Sequence, residues 1–339
     1  MSTPARKTLS ASSKVPPPRP QANVMLSRVA HSLYWMSRYI ERAENIARLL
    51  EVNLQFILDF RGYDDAHLRE HWGSILAGSG DQDLFDKHYE SADSRSVTEF
   101  FAFDLRNPNS ILSCVFAARE NARMIRDQIS VEMWETINEL YLFLKSRSTS
   151  DVWAAGPYEF FQDVKRNSHL FQGLTDSTYS RSEGWEFIQF GKFVERANKT
   201  ARILDVKYHL LLPAQEHVGG PLDYFQWTSI LRSVSALTAY HWVYRENVKP
   251  WLVADLLMLR DEMPRSLANC YENLVQNLDR IAKSYGRQGP AQRQARTIRA
   301  RLENSKIQDI FQNGLHEFID GFIEDNNRLG SAVAQQYLL

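Results

Sequence analysis

The chain has 339 residues, with 40 Lys and Arg against 41 Asp and Glu, a formal net charge of −1. Glycine (15) and proline (12) together make up about 8% of the residues, where average usage gives about 12%, so an architecture of many short strands and tight turns is disfavoured. The near balance of charge gives no electrostatic reason to expect a general nucleic-acid or anionic-membrane binder, and 44% hydrophobic with 24% charged residues is the make-up of a folded protein.

Residues 1–24 stand apart, with five prolines (Pro4, Pro16, Pro17, Pro18, Pro20), four basic residues and no acid. This composition reads as a solvated, disordered tail rather than a secretory signal, since no apolar core region follows the basic residues. Met25 opens the first strongly patterned segment and is an alternative start. From there the spacing predicts helices over Ser27–Phe60, then about 64–77, 109–128, 129–146, 157–171, 184–212, 222–245, 248–260, 264–284, 290–304 and 306–337. Asn107-Pro108-Asn109-Ser110 is suited to cap the third of these, and Pro213 to end the 184–212 helix. Gly219-Gly220-Pro221 precedes the next, and Pro264 fits a first helical turn. No segment shows sustained period-2 alternation, so the fold class is all-α. The longest apolar stretch, Trp251–Leu259, falls far short of the ~20 residues needed to span a bilayer and contains Asp255. Two cysteines, Cys114 and Cys270, suit neither a disulfide framework nor a metal site, and a reducing cytoplasm is expected.

An internal repeat is the strongest signal. Residues 37–52 read SRYIERAENIARLLEV and residues 191–206 read GKFVERANKTARILDV, ungapped at an offset of 154. Glu41, Arg42, Ala43, Ala47, Arg48, Leu50 and Val52 recur as Glu195, Arg196, Ala197, Ala201, Arg202, Leu204 and Val206. The expected architecture is a single helical-bundle domain over 25–339, built from two related halves (about 25–150 and 151–339) facing each other about a pseudo-twofold axis. On a helical wheel Tyr39, Ala43, Ile46, Ala47, Leu50 and Leu54 form a broad apolar face, while Leu49 and Val52 form a narrow strip on the far side. Glu41 and Arg42 bracket that strip, as Glu195 and Arg196 bracket Ile203 and Val206, so these charges should be partly buried. Glu41 should seek Arg48 or a cation from elsewhere, and Arg42 a carboxylate from another helix or a ligand. Either a buried ion-pair network fixing helix register or a polar cavity for an anionic or amide-bearing group satisfies the pattern.

A second constellation is Arg119-Glu120-Asn121-Ala122-Arg123, partly repeated at Arg245-Glu246-Asn247. Arg119, Arg123 and Arg126 share one side of a helix; a solvated charged face is the ordinary explanation of such a run. His67-Leu68-Arg69-Glu70-His71 matches a short metallopeptidase pattern, but no third ligand follows and no metal is expected. Arg287, Arg293, Arg296, Arg299 and Arg301 lack interleaved aromatics, which argues for a solvated or acidic-partner face rather than RNA. Trp134, Trp185, Trp227, Trp242 and Trp251 are expected as core anchors, and Cys114 as packing.

Several of these residues carry a family resemblance. Met25-Leu26-Ser27-Arg28-Val29-Ala30, Leu33-Tyr34-Trp35 and Arg38-Tyr39-Ile40-Glu41-Arg42-Ala43-Glu44 resemble the opening of the bacterial Alpha-E family. The likeness continues through Ala118–Arg123, Arg126-Asp127-Gln128, Ser130, Glu132, Trp134-Glu135 and Asn138. It resumes at Gly173, Thr178, Arg181, Glu183-Gly184-Trp185, Phe187, Gly191, Glu195-Arg196-Ala197 and Pro264-Arg265-Ser266. It implies an all-helical cytoplasmic protein that accompanies an ATP-grasp carboxylate–amine ligase, often with a transglutaminase-like protein, in systems that make or process peptide-like molecules. The chain carries no phosphate-binding loop or Cys/His signature of its own, and no cofactor is expected.

Three readings follow. The first is an accessory or scaffold component that binds the ligase or a peptide-like anionic substrate. The second is an enzyme with Glu41 or Glu195 as general acid/base and Arg42, Arg196 and Arg123 as anion clamps. The third makes the Glu-Arg pairs register pins alone. Candidate substrate- or partner-binding residues are Glu41, Arg42, Arg48, Glu195, Arg196, Arg202, Arg119, Glu120, Asn121, Arg123 and Arg181. Asn198 and Lys199 stand where the first motif has Glu44 and Asn45, so the two motifs are chemically unequal.

Overall fold

A computed structural model describes residues 25–59, 65–211 and 221–339. The expectations for the 1–24 tail, Pro213, Gly219 and Gly220 lie outside these. The described residues form α-helices without strands: α1 (Ser27–Asp59), α2 (Asp65–Ser79), α3 (Gln82–Asp86), α4 (Ser94–Ala102), α5 (Ile111–Met124), α6 (Val131–Lys145), α7 (Thr149–Ala155), α8 (Pro157–Thr178), α9 (Glu183–Leu211), α10 (Pro221–Ser233), α11 (Leu237–Tyr244), α12 (Pro250–Met258), α13 (Leu267–Tyr285), α14 (Pro290–Asn304), α15 (Ile307–Asn313) and α16 (Leu315–Val333). None of them is long and apolar enough to cross a membrane.

The two longest helices, α1 (33 residues) and α9 (29 residues), pack along each other and organise the rest. Helices α5 and α8 flank α1, while α2, α13 and α16 flank α9. Two apolar cores result. Ala43, Ala47 and Leu50 on the second half of α1 join Trp72, Phe100, Phe101 and Phe161 in one. Leu33, Met36 and Ile40 on its first half join Phe187, Phe190, Tyr271 and Phe322 in the other. Helix α1 thus lends one face to both cores along its length, while its far-side residues Leu49 and Val52 are half-buried. Buried polar anchors tie in the late helices: Asn326 of α16 donates to the Val194 carbonyl (3.1 Å) and accepts from the Tyr271 hydroxyl (2.9 Å).

Caps and first-turn prolines set several of the helix starts. Ser110, Ser130 and Ser266 accept N–H bonds at the starts of α5, α6 and α13, and Pro157, Pro250 and Pro290 occupy first turns. Pro264 is a correction: α13 begins only at Leu267 because Ser266 caps it, and Pro264 sits in the preceding turn, closed by Ser266 N–H to the Met263 carbonyl (2.9 Å). The segment 222–245 divides at Ser235 (φ 55°) and 306–337 at Gly314 (φ 107°), where a left-handed residue ends the helical hydrogen-bond run. Helices α3, α4 and α7 were too short for periodicity to reveal, although Asp93 and Ser148 form capping boxes for the last two. Trp227 is buried, but Trp242 (75% exposed) and Trp251 (46%) are not core anchors. The short helices that carry them bury other residues, Tyr240 in α11 and Val253, Ala254, Leu256, Leu257 and Met258 in α12.

Helices α1 and α9 approach closely at Gly191, where a Cβ would stand 2.4 Å from the Tyr34 carbonyl oxygen. Backbone cannot retreat as a flexible side chain can, so a methyl there must push the helices apart. Gly191→Ala should lower stability in urea denaturation by at least about 1–3 kcal/mol; an unchanged midpoint would contradict this packing.

Candidate functional site

The ordinary helical period places Glu41, Arg42, Glu44, Asn45 and Arg48 of α1 towards α9, and Glu195, Arg196, Asn198, Lys199 and Arg202 of α9 towards α1. The two motifs pair across the crossing, not within themselves. Arg196 donates to Glu41 through Nε (2.8 Å) and Nη2 (3.0 Å). Arg42 donates to Glu195 through Nε (2.6 Å) and Nη2 (3.0 Å), and its Nη1 donates to Asn109 Oδ1 (2.8 Å). Each carboxylate also receives a second guanidinium. Arg38 is bound to Glu195 Oε2 by Nε (2.9 Å) and Nη2 (2.8 Å), and its guanidinium lies 4.7 Å from the Trp35 ring centre.

Glu41 takes its second cation from Arg265, whose Nη1 reaches Glu41 Oε1 (3.3 Å) and Asn45 Oδ1 (3.1 Å). The other amino group of Arg265 straddles Glu44, 2.8 Å from each oxygen. Thr200 of α9 donates to the Arg265 carbonyl (2.9 Å), which fixes the turn into α13 against the crossing. Glu44 completes its shell with Arg48 and with His169 Nε2 (3.2 Å), while Arg48 also reaches the hydroxyl of the left-handed Ser235.

Glu41, Glu44 and Glu195 are only 1–2% exposed. Burial alone would drive such carboxyls up, but the guanidinium groups outweigh it. Arg196 and Arg265 hold Glu41 below its ordinary value, Arg265 with the His169 hydrogen bond and Arg48 holds Glu44 well below it, and Arg42 and Arg38 do the same for Glu195. The three are therefore ionised acceptors at neutral pH. Lys192 stands at the repeat position of Arg38 but makes no ion pair with Glu41, whose second place Arg265 occupies. It lies against the Phe193 ring, and burial beside Arg196 pulls it down to about 8.

The structure thus brings together Glu41, Arg42, Arg48, Glu195 and Arg196, with Arg202 at the edge, where its Nε donates to Asn198 Oδ1 (3.1 Å). Arg48 is not the partner of Glu41; it bonds Glu44 one turn away, at the i,i+4 spacing that suits a helix better than a full heptad. Arg119, Glu120, Asn121 and Arg123 do not join the site. They lie on α5, where Arg119 (3.0 Å) and Arg123 (2.7 Å) both pair with Glu120, and Asn121 donates to the Ala117 carbonyl. Arg181 stacks on Trp185 at 4.2 Å and pairs with Asp176. Glu44, Asn45, Arg38, Asn109 and Arg265 were missed as site residues. Position on the same helical face would have found the first three; Arg265, more than two hundred residues away in sequence, was marked by the resemblance at Pro264-Arg265-Ser266 but not by the repeat or the helical wheel.

The remaining motifs are otherwise placed. His71 is buried, stacked on Phe56 (ring centres 5.1 Å apart), with Nε2 3.1 Å from Asn53 Oδ1, and burial lowers it to about 4; His67 is exposed. No cluster of three or more potential metal-ligating side chains occurs among the described residues. Arg296, Arg299 and Arg301 are paired with Asp279, Glu272 and Asp325. Cys114 and Cys270 are buried thiols, each pushed up to about 12 by burial.

An all-helical protein whose two longest helices are locked by reciprocal Glu-Arg pairs defines the class. The chain belongs to the Alpha-E family, described as an alpha-helical domain with a conserved ER motif, which it matches over residues 25–338. It is 25% identical over 305 residues to an uncharacterized protein of Mycobacterium bovis and 24% identical to one of Mycobacterium tuberculosis strain H37Rv. Each match covers 85% of this chain and 34% of the relative, so the chain spans about a third of the length of the relatives it matches. No solved structure matches.

The network has a defined acid response. Its carboxylates titrate near 4.5 when unfolded and below it when folded, so their contribution is complete above about pH 5 and is lost as pH falls through the folded values. Wild-type stability should fall steeply below pH 4.5. Glu195→Gln should cost about 3–5 kcal/mol at pH 7 and flatten that fall; a variant within about 1 kcal/mol of wild type would contradict the pairing.

Proposed function

We propose that this chain is a non-catalytic accessory component of an ATP-grasp-type peptide or amide ligase system. In this reading it is a cytoplasmic scaffold of two related halves, 25–150 and 151–339, arranged about a pseudo-twofold axis. It binds the partner ligase, and with it a peptide-like anionic substrate, beside the Glu-Arg crossing; a transglutaminase-like protein is a further partner, and nucleic acid and membrane are not. The observation that carries the reading is the closure of the network. Every carboxylate in it is held ionised by at least two guanidinium groups, whereas a general acid or base works best with a pKa near the operating pH.

The enzymic alternative is weakened further because Arg123, its third anion clamp, lies on α5 in a surface pair with Glu120. Membership of much longer relatives supports a module that operates beside other polypeptide. The naming of an ATP-grasp ligase rests on the family resemblance in the sequence.

The test mixes the purified full-length chain with the ATP-grasp ligase of its own organism, followed by light scattering and by ligase turnover. A saturable complex with raised turnover, and no turnover by the chain alone, is expected. Turnover of a peptide-like substrate by the isolated chain, abolished in a folded Glu41→Gln variant, would overturn the reading in favour of an enzyme.

A further inference from the structure

Leu26 (61% exposed), just before α1, and Met124 (64%), at the end of α5, are large apolar side chains left open to water. Both line one groove of about 1260 Å³ at an end of the bundle. It lies between the first turns of α1, the 3₁₀ turn Arg126–Gln128, the entry to α9 and residues 338–339. Val29, Ile125 and Leu338 extend its apolar lining. The walls are pinned. The Met25 N–H donates to Glu183 Oε2 (3.0 Å), and the Tyr285 hydroxyl donates to the Met25 carbonyl (3.3 Å). The hydroxyls of Thr178 and Ser130 lie 2.8 Å apart and join the end of α8 to the start of α6. Tyr337 meets Tyr285 edge-on, with ring centres 5.0 Å apart. Apolar side chains gathered on one groove mark an interaction surface, where the same residues scattered singly would need no explanation.

Arg28 of α1 and Asp127 of the 3₁₀ turn also line the groove. Among the described residues neither belongs to an ion pair; Asp127 accepts from the Gln128 amide (2.8 Å). The volume exceeds the ~300–1,000 Å³ of small-molecule pockets, so it suits a stretch of polypeptide better. The limits of the family match point the same way. The match runs from residue 25 to residue 338, and Met25 and Leu338 both line this groove. About two thirds of each mycobacterial relative lies outside the stretch it shares with this chain. In a relative of this fold, polypeptide continuing from either end of the shared domain starts at the groove.

We infer that this groove is the docking site of a separate protein, the counterpart of polypeptide that the longer relatives carry in the same chain. The partner lays an apolar segment against Leu26, Val29, Met124 and Leu338. A carboxylate and a cation flanking that segment meet Arg28 and Asp127. Desolvation of the apolar anchors supplies the affinity, and the two opposite charges fix the direction in which the segment lies. The surface is about 20 Å along α1 from Glu41, so it is separate from the Glu-Arg crossing. The inference goes beyond the accessory-component reading and borrows from it only the probe, the ATP-grasp ligase.

The experiment places a photo-crosslinking benzoylphenylalanine in the full-length chain, in place of Met124 or, as control, of the exposed Trp242 on α11. The chain is irradiated in its own cells, and the purified chain and ligase are then followed by light scattering. Crosslinks to one segment of the ligase are expected from the Met124 position and not from the Trp242 position. Leu26→Glu and Arg28→Glu, with folding verified by circular dichroism, should each weaken the purified complex at least tenfold. Equal crosslinking from the two positions, no crosslinking, or crosslinks from the Met124 position only to residues 1–24 or to a second copy would overturn the inference. A ligase complex of unchanged affinity in both variants sinks this inference alone. Crosslinking to a different, identified protein, whose purified complex shows the same losses in both variants, leaves it standing and removes the ligase reading.

Discussion

The molecule depends on one interaction, the exchange of carboxylates and guanidinium groups across the α1–α9 crossing. Three glutamates buried to near-completeness could not remain ionised unless each met enough positive charge and enough donors to replace water. The geometry meets that condition by crossing over: Arg42 serves Glu195, and Arg196 serves Glu41. This fixes the depth and rotation at which the helices meet. It also explains why Gly191 must present bare backbone to Tyr34, since a bulkier residue would draw the pairs apart. The third arm, Arg265, extends the same constraint to α13 and so links the C-terminal helices to the first one.

The two motifs are unequal in a way that matters chemically. Around Glu41 and Glu44 the pairing is dense, and Asn45 and His169 fill in what the guanidinium groups leave. Around Arg202 a carboxylate has become an amide, and an extra lysine stands beside it. Among the described residues, Arg38, Arg42, Arg48, Arg196, Arg265, Lys192, Lys199 and Arg202 face or adjoin the crossing, whereas the acids in their field are Glu41, Glu44, Glu195, Asp81 and Asp176. Global neutrality therefore conceals a local positive excess at the crossing.

Much of the fold was legible because long helices leave a long periodic record. Helices α1 and α9 were readable almost to the residue, while α3, α4 and α7 span too few turns for periodicity to rise above chance. The breaks at Ser235 and Gly314 escaped because a single left-handed residue interrupts a helix without disturbing its apolar spacing. In the site, the repeat and the helical wheel singled out Glu41, Arg42, Glu195 and Arg196. They could not supply Arg265, because which distant turn docks on α9 is decided by tertiary packing and the Thr200 hydroxyl. The run around Arg119 looked similar in composition, yet Arg119 and Arg123 pair with Glu120 on their own helix and Arg119 turns its Nε to Asn138 of α6, away from the crossing.

The most direct test is a double-mutant cycle in urea denaturation, with Glu41→Gln and Arg196→Met made singly and together, and Glu41→Gln with Arg48→Met as the reference pair. Reciprocal pairing expects a coupling energy of at least about 2 kcal/mol for Glu41 with Arg196 and a clearly smaller one for Glu41 with Arg48. Additive effects in the first cycle, or a larger coupling in the second, would contradict the claim that the two motifs hold the protein together by pairing across the crossing.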